Sequence, residues 1–299
     1  MTDPLTIHDI ARMLPCRPDD GHKGVFGHLV ALAGSRGFTG AAKLVCDAAN
    51  RAGVGLVTLG MPATLADIMA AALLEPMSLA LPATDADSLA YEGLDVILEF
   101  LVGKSALVIG PGLSRHPSTM RLARELFRLR PLPMVVDADA LNAWADCRAR
   151  LVRQNRTTHA EAVFTPHPGE MARLTGLDAA AIQKDREYTA MRFAASWHVV
   201  VVLKGRNTVI AGPDGRAYVC PTGNNGLATG GTGDVLAGVI GALLAQGAGA
   251  FEAACVAVYA HGLAGDLAAA EKTARAMIAR DVIEALPDAW RAIEGKADE

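Results

Sequence analysis

Six short apolar segments rich in Val, Leu and Ala recur along the chain, separated by longer Ala-rich segments. Each is almost continuously apolar, a pattern that predicts parallel strands covered on both faces. The predicted strands are His28–Ala33, Gly55–Leu59, Ala106–Ile109, Met134–Val136, Ala162–Phe164 and Val199–Leu203. Two further predicted strands, Thr208–Ala211 and Ala217–Cys220, flank Gly212-Pro213-Asp214-Gly215, a sequence typical of a hairpin turn.

The segments between the strands carry apolar residues at intervals of three and four, the spacing of one helix face. One predicted helix begins after Thr39 and ends at Gly53. Further helices are predicted over Leu122–Leu129, Ala179–Ala195, Val235–Leu244 and Glu252–Ala270. This alternation predicts an α/β fold, with a mostly parallel central sheet and helices on both faces. No repeat or linker interrupts it, so we expect a single domain over residues 1–299, with surface loops at Pro76–Pro82 and Arg148–His159.

Composition narrows the possible partners. Hydrophobic residues make up 51% of the chain, which supports a folded core, and a net charge of −4 gives no general attraction for nucleic acid or anionic membranes. The long apolar stretch Val235–Phe251 contains Gln246 and four glycines, so we expect a buried helix and turn and no membrane span. Five single cysteines without a CxxC pair indicate reduced thiols in a cytoplasmic protein.

The glycine-rich segment Thr222–Asp234 leads into a predicted helix. Its glycines allow backbone N–H groups to turn towards a ligand, and a helix N-terminus favours phosphate. Asp234 is unexpected there, because a carboxylate repels an anion unless it accepts a proton from an attacking hydroxyl or helps to hold Mg²⁺. A structural alternative stays open, since Asp is also favoured in the first turn of a helix. Lys204-Gly205-Arg206-Asn207, after a buried strand, supplies positive charge, although a solvated strand end explains it equally well.

Three other segments follow predicted strands, and each has a structural alternative as a tight turn or a helix start. Gly34–Ala42 lacks both the Gly-Lys-Ser/Thr ending of a Walker loop and the GxGxxG spacing of the dinucleotide fingerprint. Gly110–Leu113 lies at the end of a predicted strand, and Asp137 and Asp139 are suited to Mg²⁺ through water or to a sugar hydroxyl. Since ligands of such sheets bind beyond the carboxyl ends of the strands, we expect these segments to converge.

Thr165–Glu170 places His167 between Pro166 and Pro168, which fix the backbone on both sides. This rigidity favours a ligand-facing His167 over a structural one. The other seven histidines lack such a context, and they receive no role beyond a weak option on His22 and His28.

Taken in order, these segments resemble the ADP/ATP-dependent NAD(P)H-hydrate dehydratases of the ribokinase-like superfamily. The matching stretches, from about residue 22 to residue 270, are His22–His28, Gly34–Ala42, Gly110–Leu113, Asp137–Leu141, Thr165–Glu170, Leu203–Arg206 and Gly226–Leu236. Many ribokinase-like enzymes share the glycine loop, whereas the His167 and Gly34–Ala42 segments are more specific to the dehydratases. The resemblance implies a ribokinase-like α/β/α domain that repairs hydrated NADH or NADPH, with ADP or ATP as co-substrate and with Mg²⁺.

The resemblance also implies residue roles. Asp234 would take the proton of the C6 hydroxyl while the nucleotide phosphorylates it. The positions that match the hydrate site are Ala42, Gly112, His167 and Asp234. The positions that match the nucleotide site are Lys204, Gly205, Arg206, Asn207, Asn225, Gly226, Leu227, Ala228, Thr229, Gly231, Thr232 and Gly233. Backbone N–H groups of Gly231, Thr232 and Gly233 would hold the transferring phosphoryl group.

Family members form homotetramers, which implies the same assembly here. Many carry an N-terminal epimerase domain, but only about twenty residues precede the match. We therefore expect action on the S epimer alone and a separate epimerase as functional partner. The main alternative is a ribokinase-like kinase of a vitamin precursor, which would not need the His167 segment. An NAD-dependent dehydrogenase should show GxGxxG, and a non-catalytic nucleotide sensor leaves Asp234 unexplained.

Overall fold

The structure, a computed structural model, describes residues 3–145 and 161–296. Its strands are β1 (Asp3–Pro4), β2 (His28–Leu32), β3 (Leu56–Pro62), β4 (Met77–Leu81), β5 (Ala106–Ile109), β6 (Met134–Val136), β7 (Ala162–Phe164), β8 (Val200–Leu203), β9 (Val209–Ala211) and β10 (Ala217–Val219). Its helices are α1 (Ile7–Met13), α2 (Thr39–Arg51), α3 (Ala66–Ala72), α4 (Leu94–Leu101), α5 (Pro117–Leu129), α6 (Ala138–Ala145), α7 (Pro168–Thr175), α8 (Ala179–Lys184), α9 (Arg186–Trp197), α10 (Thr232–Ala245), α11 (Ala250–Lys272) and α12 (Ala279–Glu294).

The ten strands form one sheet in the order β1-β10-β9-β8-β7-β6-β5-β2-β3-β4. Neighbouring strands are parallel except where β9 pairs with β8 and β10. From β2 the chain runs outward to β4, returns to β5 on the other side of β2, and then continues through β6, β7 and β8. The direction of winding therefore reverses between β2 and β5, and in open α/β sheets ligands bind at such a reversal.

Alternate residues of the central strands enter two separate hydrophobic cores. Leu29 and Ala31 face the core that contains α2, α10, α11 and α12, whereas Val30 and Leu32 face the core that contains α5, α6, α7 and α9. The expected helices on both faces of a mostly parallel sheet are confirmed. Both faces need apolar residues, which is why the strands read as continuous apolar runs.

Two local expectations were wrong. The stretch Pro76–Pro82 is not a loop, because Met77–Leu81 forms strand β4 beside β3. As an edge strand it is largely exposed and bounded by prolines, which disguises it in the sequence. The helix predicted over Ala179–Ala195 is broken at Asp185, whose side chain accepts the N–H of Tyr188 and caps a new helix. The loop expected at Arg148–His159 lies outside the described residues.

The apolar stretch Val235–Phe251 is, as expected, a buried helix followed by a turn. α10 lies between α2, α11 and the sheet, and nearly all of its residues are buried. Among the described helices, α11 has the length and hydropathy of a membrane span, but 67% of its most apolar window is buried inside the protein. α11 is therefore packed as a core helix.

Candidate active site

The N-terminus of α10 lies directly after the glycine-rich loop, and no described side chain caps it. Gly231 precedes the helix with φ of 94°, a conformation that favours glycine. The Thr232 hydroxyl instead donates to the carbonyl oxygens of Leu227 and Thr229, at 2.7 and 3.0 Å, and so fixes the loop. The first N–H groups of α10 are therefore left for a ligand, and the helix dipole favours an anion there.

Asp234 lies in this first turn and is mostly buried. Burial raises the pKa of its carboxyl, and the nearby carboxylates of Asp137 and Asp139 raise it further, to about 7, although Lys204 opposes the shift. A carboxyl group with a pKa near 7 accepts a proton far more readily than an ordinary aspartate at neutral pH. The environment of Asp234 therefore suits a general base.

A largely buried ion pair lies beside the N-terminus of α10. Lys204 Nζ is 2.9 Å from Asp137 Oδ1 and 3.9 Å from Glu170 Oε2. A Cβ atom at Gly233 would lie 3.5 Å from this ammonium group. Burial by itself lowers the pKa of Lys204, but the carboxylates of Asp137 and Glu170 outweigh burial and raise it. Lys204 is therefore a fixed cation beside the N-terminus of α10.

Glu170 joins this ion pair to the segment around His167. Its Oε2 accepts the backbone N–H of His167 at 2.8 Å, while His167 Nδ1 accepts the N–H groups of Gly169 and Glu170 at 3.0 and 3.3 Å. Burial raises the pKa of Glu170 well above its ordinary value. These bonds form a capping box at the start of α7, so His167 has a structural function. Its ring is half-exposed, and Nε2 lies 3.4 Å from Glu170 Oε1.

The loops that follow β2 and β5 pack together at the reversal of the sheet. The Ser35 hydroxyl donates to Gly112 O at 2.8 Å, and Gly34 N–H donates to Pro111 O at 2.9 Å. Gly112 has φ of 63°, and a Cβ atom there would lie 2.8 Å from Phe38 Cβ. Ala42 is buried in α2 behind this contact. The small residues are thus required by close packing at the place where ligands of such sheets bind.

A cavity of about 680 Å³ opens beside Lys204 and Gly233, which form part of its lining. Its volume lies within the range of small-molecule sites. The predicted nucleotide residues that line it are Lys204, Gly205, Arg206, Asn207, Asn225, Leu227, Ala228, Thr232 and Gly233. Gly226 instead faces the chain before α12, because a Cβ atom there would lie 2.3 Å from the sulfur of Met277. Thr229, Gly231 and the predicted hydrate residues are also outside the cavity lining.

Residues 29–288 match the family described as NAD(P)H-hydrate dehydratase. The chain belongs to this family. It is 47% identical over 285 residues to the bifunctional NAD(P)H-hydrate repair enzyme Nnr of Moorella thermoacetica, a match that covers 95% of this chain and 53% of that protein. It is 41% identical to the ADP-dependent (S)-NAD(P)H-hydrate dehydratase of Neisseria meningitidis, with 84% of this chain and 80% of that protein covered.

A solved structure supports the fold of this dehydratase-family chain. The ADP/ATP-dependent NAD(P)H-hydrate dehydratase from Bacillus subtilis, co-crystallised with ATP/Mg²⁺, aligns with a TM-score of 0.83 at 31% identity. The alignment covers 98% of this chain and 99% of that chain. The expected ribokinase-like fold is confirmed. The chain spans about half the length of several curated relatives that it matches.

Several residues around the dehydratase-family site escaped the sequence analysis. His261, which received no role, is buried behind the N-terminus of α10, where its Nε2 donates to Thr232 O at 2.9 Å. Burial lowers the pKa of His261 to about 4, so its ring is neutral. Thr222 and Asn224, which belong to the predicted glycine-rich segment but received no individual role, line the cavity. Other missed residues are Val258 and Gly262, which also line it, and Arg186, whose guanidinium donates to Leu203 O and Arg206 O. The one feature of the sequence that could have indicated these residues is Gly262, because a glycine inside a predicted helix often marks a close contact.

Proposed function

We propose that the protein dehydrates the S epimer of hydrated NADH or NADPH and consumes ADP or ATP in the process. Family membership supports the reaction class. The observation that carries the proposal is the mostly buried Asp234, with a pKa of about 7, in the uncapped first turn of α10. The first residues of that turn, Thr232 and Gly233, line the cavity, and α2, which contains Ala42, packs against the same helix.

The geometry supports a kinase step followed by elimination. With the phosphates at the N-terminus of α10, Asp234 accepts the proton of the C6 hydroxyl and the freed oxygen attacks the terminal phosphorus. A C6–O–P linkage forms, the phosphoanhydride bond breaks, and AMP leaves from ADP, or ADP from ATP. The lone pair of the ring nitrogen then expels phosphate from C6. Loss of a proton from C5 restores the ring double bond.

The backbone and Lys204 supply the electrostatic part of this mechanism. The N–H groups of Gly231, Thr232 and Gly233 are directed at the position where negative charge develops. Lys204, held by Asp137, adds a positive charge next to Gly233. Because both groups are fixed before the substrate binds, little reorganisation opposes the reaction.

Mg²⁺ fits this site when it arrives with a nucleotide. Among the described residues, no three His, Cys, Asp or Glu side chains are grouped for a metal ion. Mg²⁺ needs few protein ligands when phosphate oxygens and water complete its coordination. We propose that the carboxylates of Asp137 and Asp139 hold the ion through water, where it would neutralise phosphate charge.

A direct assay tests the proposal. The protein is mixed with hydrated NADH, Mg²⁺ and either ADP or ATP, and the recovery of absorbance at 340 nm is followed. We expect recovery with at least one nucleotide and none without nucleotide or with Asp234→Asn. Recovery with neither nucleotide would refute the proposal and favour the vitamin-precursor kinase. With a mixture of epimers, the fast phase should end when the S epimer is exhausted and resume when an epimerase is added.

We also propose that the protein is a homotetramer in the cytoplasm. The resemblance to the dehydratases supports this assembly. Light scattering of the purified protein should give four times the chain mass, and a monomer at working concentration would overturn the proposal.

A further inference from the structure

The face of α11 towards the glycine-rich loop carries a carboxylate that neither the sequence motifs nor the proposed reaction uses. Asp266 Oδ2 accepts the backbone N–H of Gly223 at 2.9 Å, and Asp266 Oδ1 accepts the side-chain N–H of Asn224 at 2.9 Å. Both oxygens of the carboxylate are therefore bonded to the same loop, 43 and 42 residues away in the sequence.

Asn224 extends this connection along the loop. Its amide nitrogen also donates to Gly265 O at 2.9 Å, and its Oδ1 accepts the N–H of Gly226 at 2.8 Å. The side chain thus caps the short turn Asn225–Leu227 while it is itself bonded to α11. A single carboxylate orients Gly223 directly and Gly226 through Asn224.

Two glycines of α11 allow this close approach. A Cβ atom at Gly262 would lie 2.2 Å from Thr222 Oγ1, and one at Gly265 would lie 2.8 Å from Leu227 Cδ2. The Thr222 hydroxyl donates to Tyr259 O at 3.0 Å in the same contact. The loop therefore lies directly on the helix backbone.

The position of the loop determines one wall of the cavity. Thr222, Gly223, Asn224 and Asn225 line the cavity, and the turn 204–208 lines it as well. Asp266 is not part of the lining, and among the described residues it forms no salt bridge. The carboxylate of Asp266 is thus held by hydrogen bonds from the loop. Such charge-assisted bonds are stronger than neutral ones.

We propose that Asp266 is a positioning residue for the nucleoside part of the nucleotide, an inference that rests on the proposed function. Lys204 and the N-terminus of α10 attract the phosphates, whereas the negative charge of Asp266 repels them. The wall that Asp266 holds is neutral and partly apolar, with Thr222, Leu227 and Ala228. Neutral polar and apolar groups together suit a purine nucleoside. Asp266 therefore determines nucleotide affinity without touching the nucleotide.

The test is Asp266→Asn, which keeps the size of the side chain. One of its two acceptors becomes an N–H donor, so either Gly223 or Asn224 loses its partner. We expect the KM for ADP to rise about tenfold, as loss of one such bond does. The KM for the hydrate and kcat should change less than twofold, because the substitution affects nucleotide binding and not the reacting groups. Glu271→Gln, an exposed carboxylate on the same helix, is the matched control.

Three further measurements complete the test. The dissociation constants of AMP and ADP, measured by calorimetry without hydrate, should rise by the same factor. A rise for ADP alone would place the effect at the phosphates and overturn the proposal.

The double variant Asp266→Asn with Asn224→Asp exchanges the donor and the acceptor of the bond between these side chains, so it should recover part of the nucleotide affinity. If Asp266→Asn does not fold, Asp266→Glu, which displaces the carboxylate, should show the same loss. Unchanged nucleotide affinity in a folded variant would overturn the inference, whereas a wild-type protein that binds no nucleotide would refute the proposed function itself.

Discussion

At the scale of single residues, the proposed chemistry depends on the environment of Asp234. The sequence left two interpretations, a catalytic base and an ordinary residue of a helix start. Burial and the carboxylates of Asp137 and Asp139 raise its pKa to about 7, which makes ionised Asp234 costly to the fold. Helix-start residues are normally exposed and fully ionised, so the structure favours the catalytic interpretation.

Asp234→Asn should abolish turnover and leave ADP binding within about threefold of the wild type, since the amide keeps the shape but accepts no proton. The 340 nm assay and calorimetry with ADP measure the two quantities. A variant with nearly normal kcat would show that Asp234 is not the base.

The pH dependence should follow the same carboxyl. Because the base acts when ionised, kcat/KM for the hydrate should fall as the pH drops through about 7 and reach a plateau above it. The pKa is raised on folding, so the stability that protonated Asp234 contributes is lost as the pH rises from 3.8 towards about 7. Asp234→Asn should therefore raise the melting temperature at pH 8 and have little effect near pH 4. The absence of this difference would contradict the raised pKa.

His167 combines a structural bond and an exposed ring, and two variants separate them. His167→Ala removes both and should raise the KM for the hydrate more than that for ADP. His167→Asn keeps a capping acceptor for α7 but removes the ring. If the ring contacts the hydrate, both variants raise that KM. Restoration by Asn, measured with purified S epimer, would mean that only the cap matters.

At the scale of elements, the packing of α10 against α2 holds the proposed anion site in place. A Cβ atom at Gly238 would lie 2.3 Å from Val45 O and 3.1 Å from Ala48 Cβ. The two helices can approach this closely because Gly238 has no side chain. Helical spacing in the sequence predicted both helices, but it contained no information about which glycine faces a neighbouring backbone.

Gly238→Ala should consequently destabilise the protein by about 1–3 kcal/mol, the usual cost of overpacking. Denaturant unfolding measures the change. Gly40→Ala is the control, because nothing lies within 4 Å of its Cβ position at the exposed start of α2, and alanine is the better helix former. Equal effects at the two positions would contradict the close packing.

At the scale of the whole molecule, the order of the strands assembles the site. The loops after β2, β5, β6, β7 and β8 come from distant parts of the chain and meet at the carboxyl ends of the strands. Lys204 and Asp137, 67 residues apart, form the ion pair at its centre. A ligand that binds here contacts several elements at once and should stabilise the entire fold.

A nucleotide should therefore act as a stabiliser. ADP with Mg²⁺ at one hundred times its dissociation constant should add about 2.7 kcal/mol to the free energy of unfolding. Thermal unfolding measures this gain in stability. The Asp234→Asn variant should show the same gain, because it is expected to bind ADP almost normally. An unchanged melting temperature in ADP at saturating concentration would contradict a nucleotide site in the folded protein.

The sequence alone predicted the α/β class, eight of the strands, the helix that follows the glycine-rich loop and the family, because these features depend on local periodicity and on motifs. It did not predict β4 or the break at Asp185, since an exposed edge strand and a cap residue leave little pattern. The pairing of Lys204 with Asp137, the neutral His261 and the bonds from Asp266 were decided by tertiary structure. Burial and contact between distant residues create them, so no stretch of the chain contains them. The sequence showed that Asp234 lies in the first turn of a helix, but the raised pKa of its carboxyl follows only from the tertiary structure.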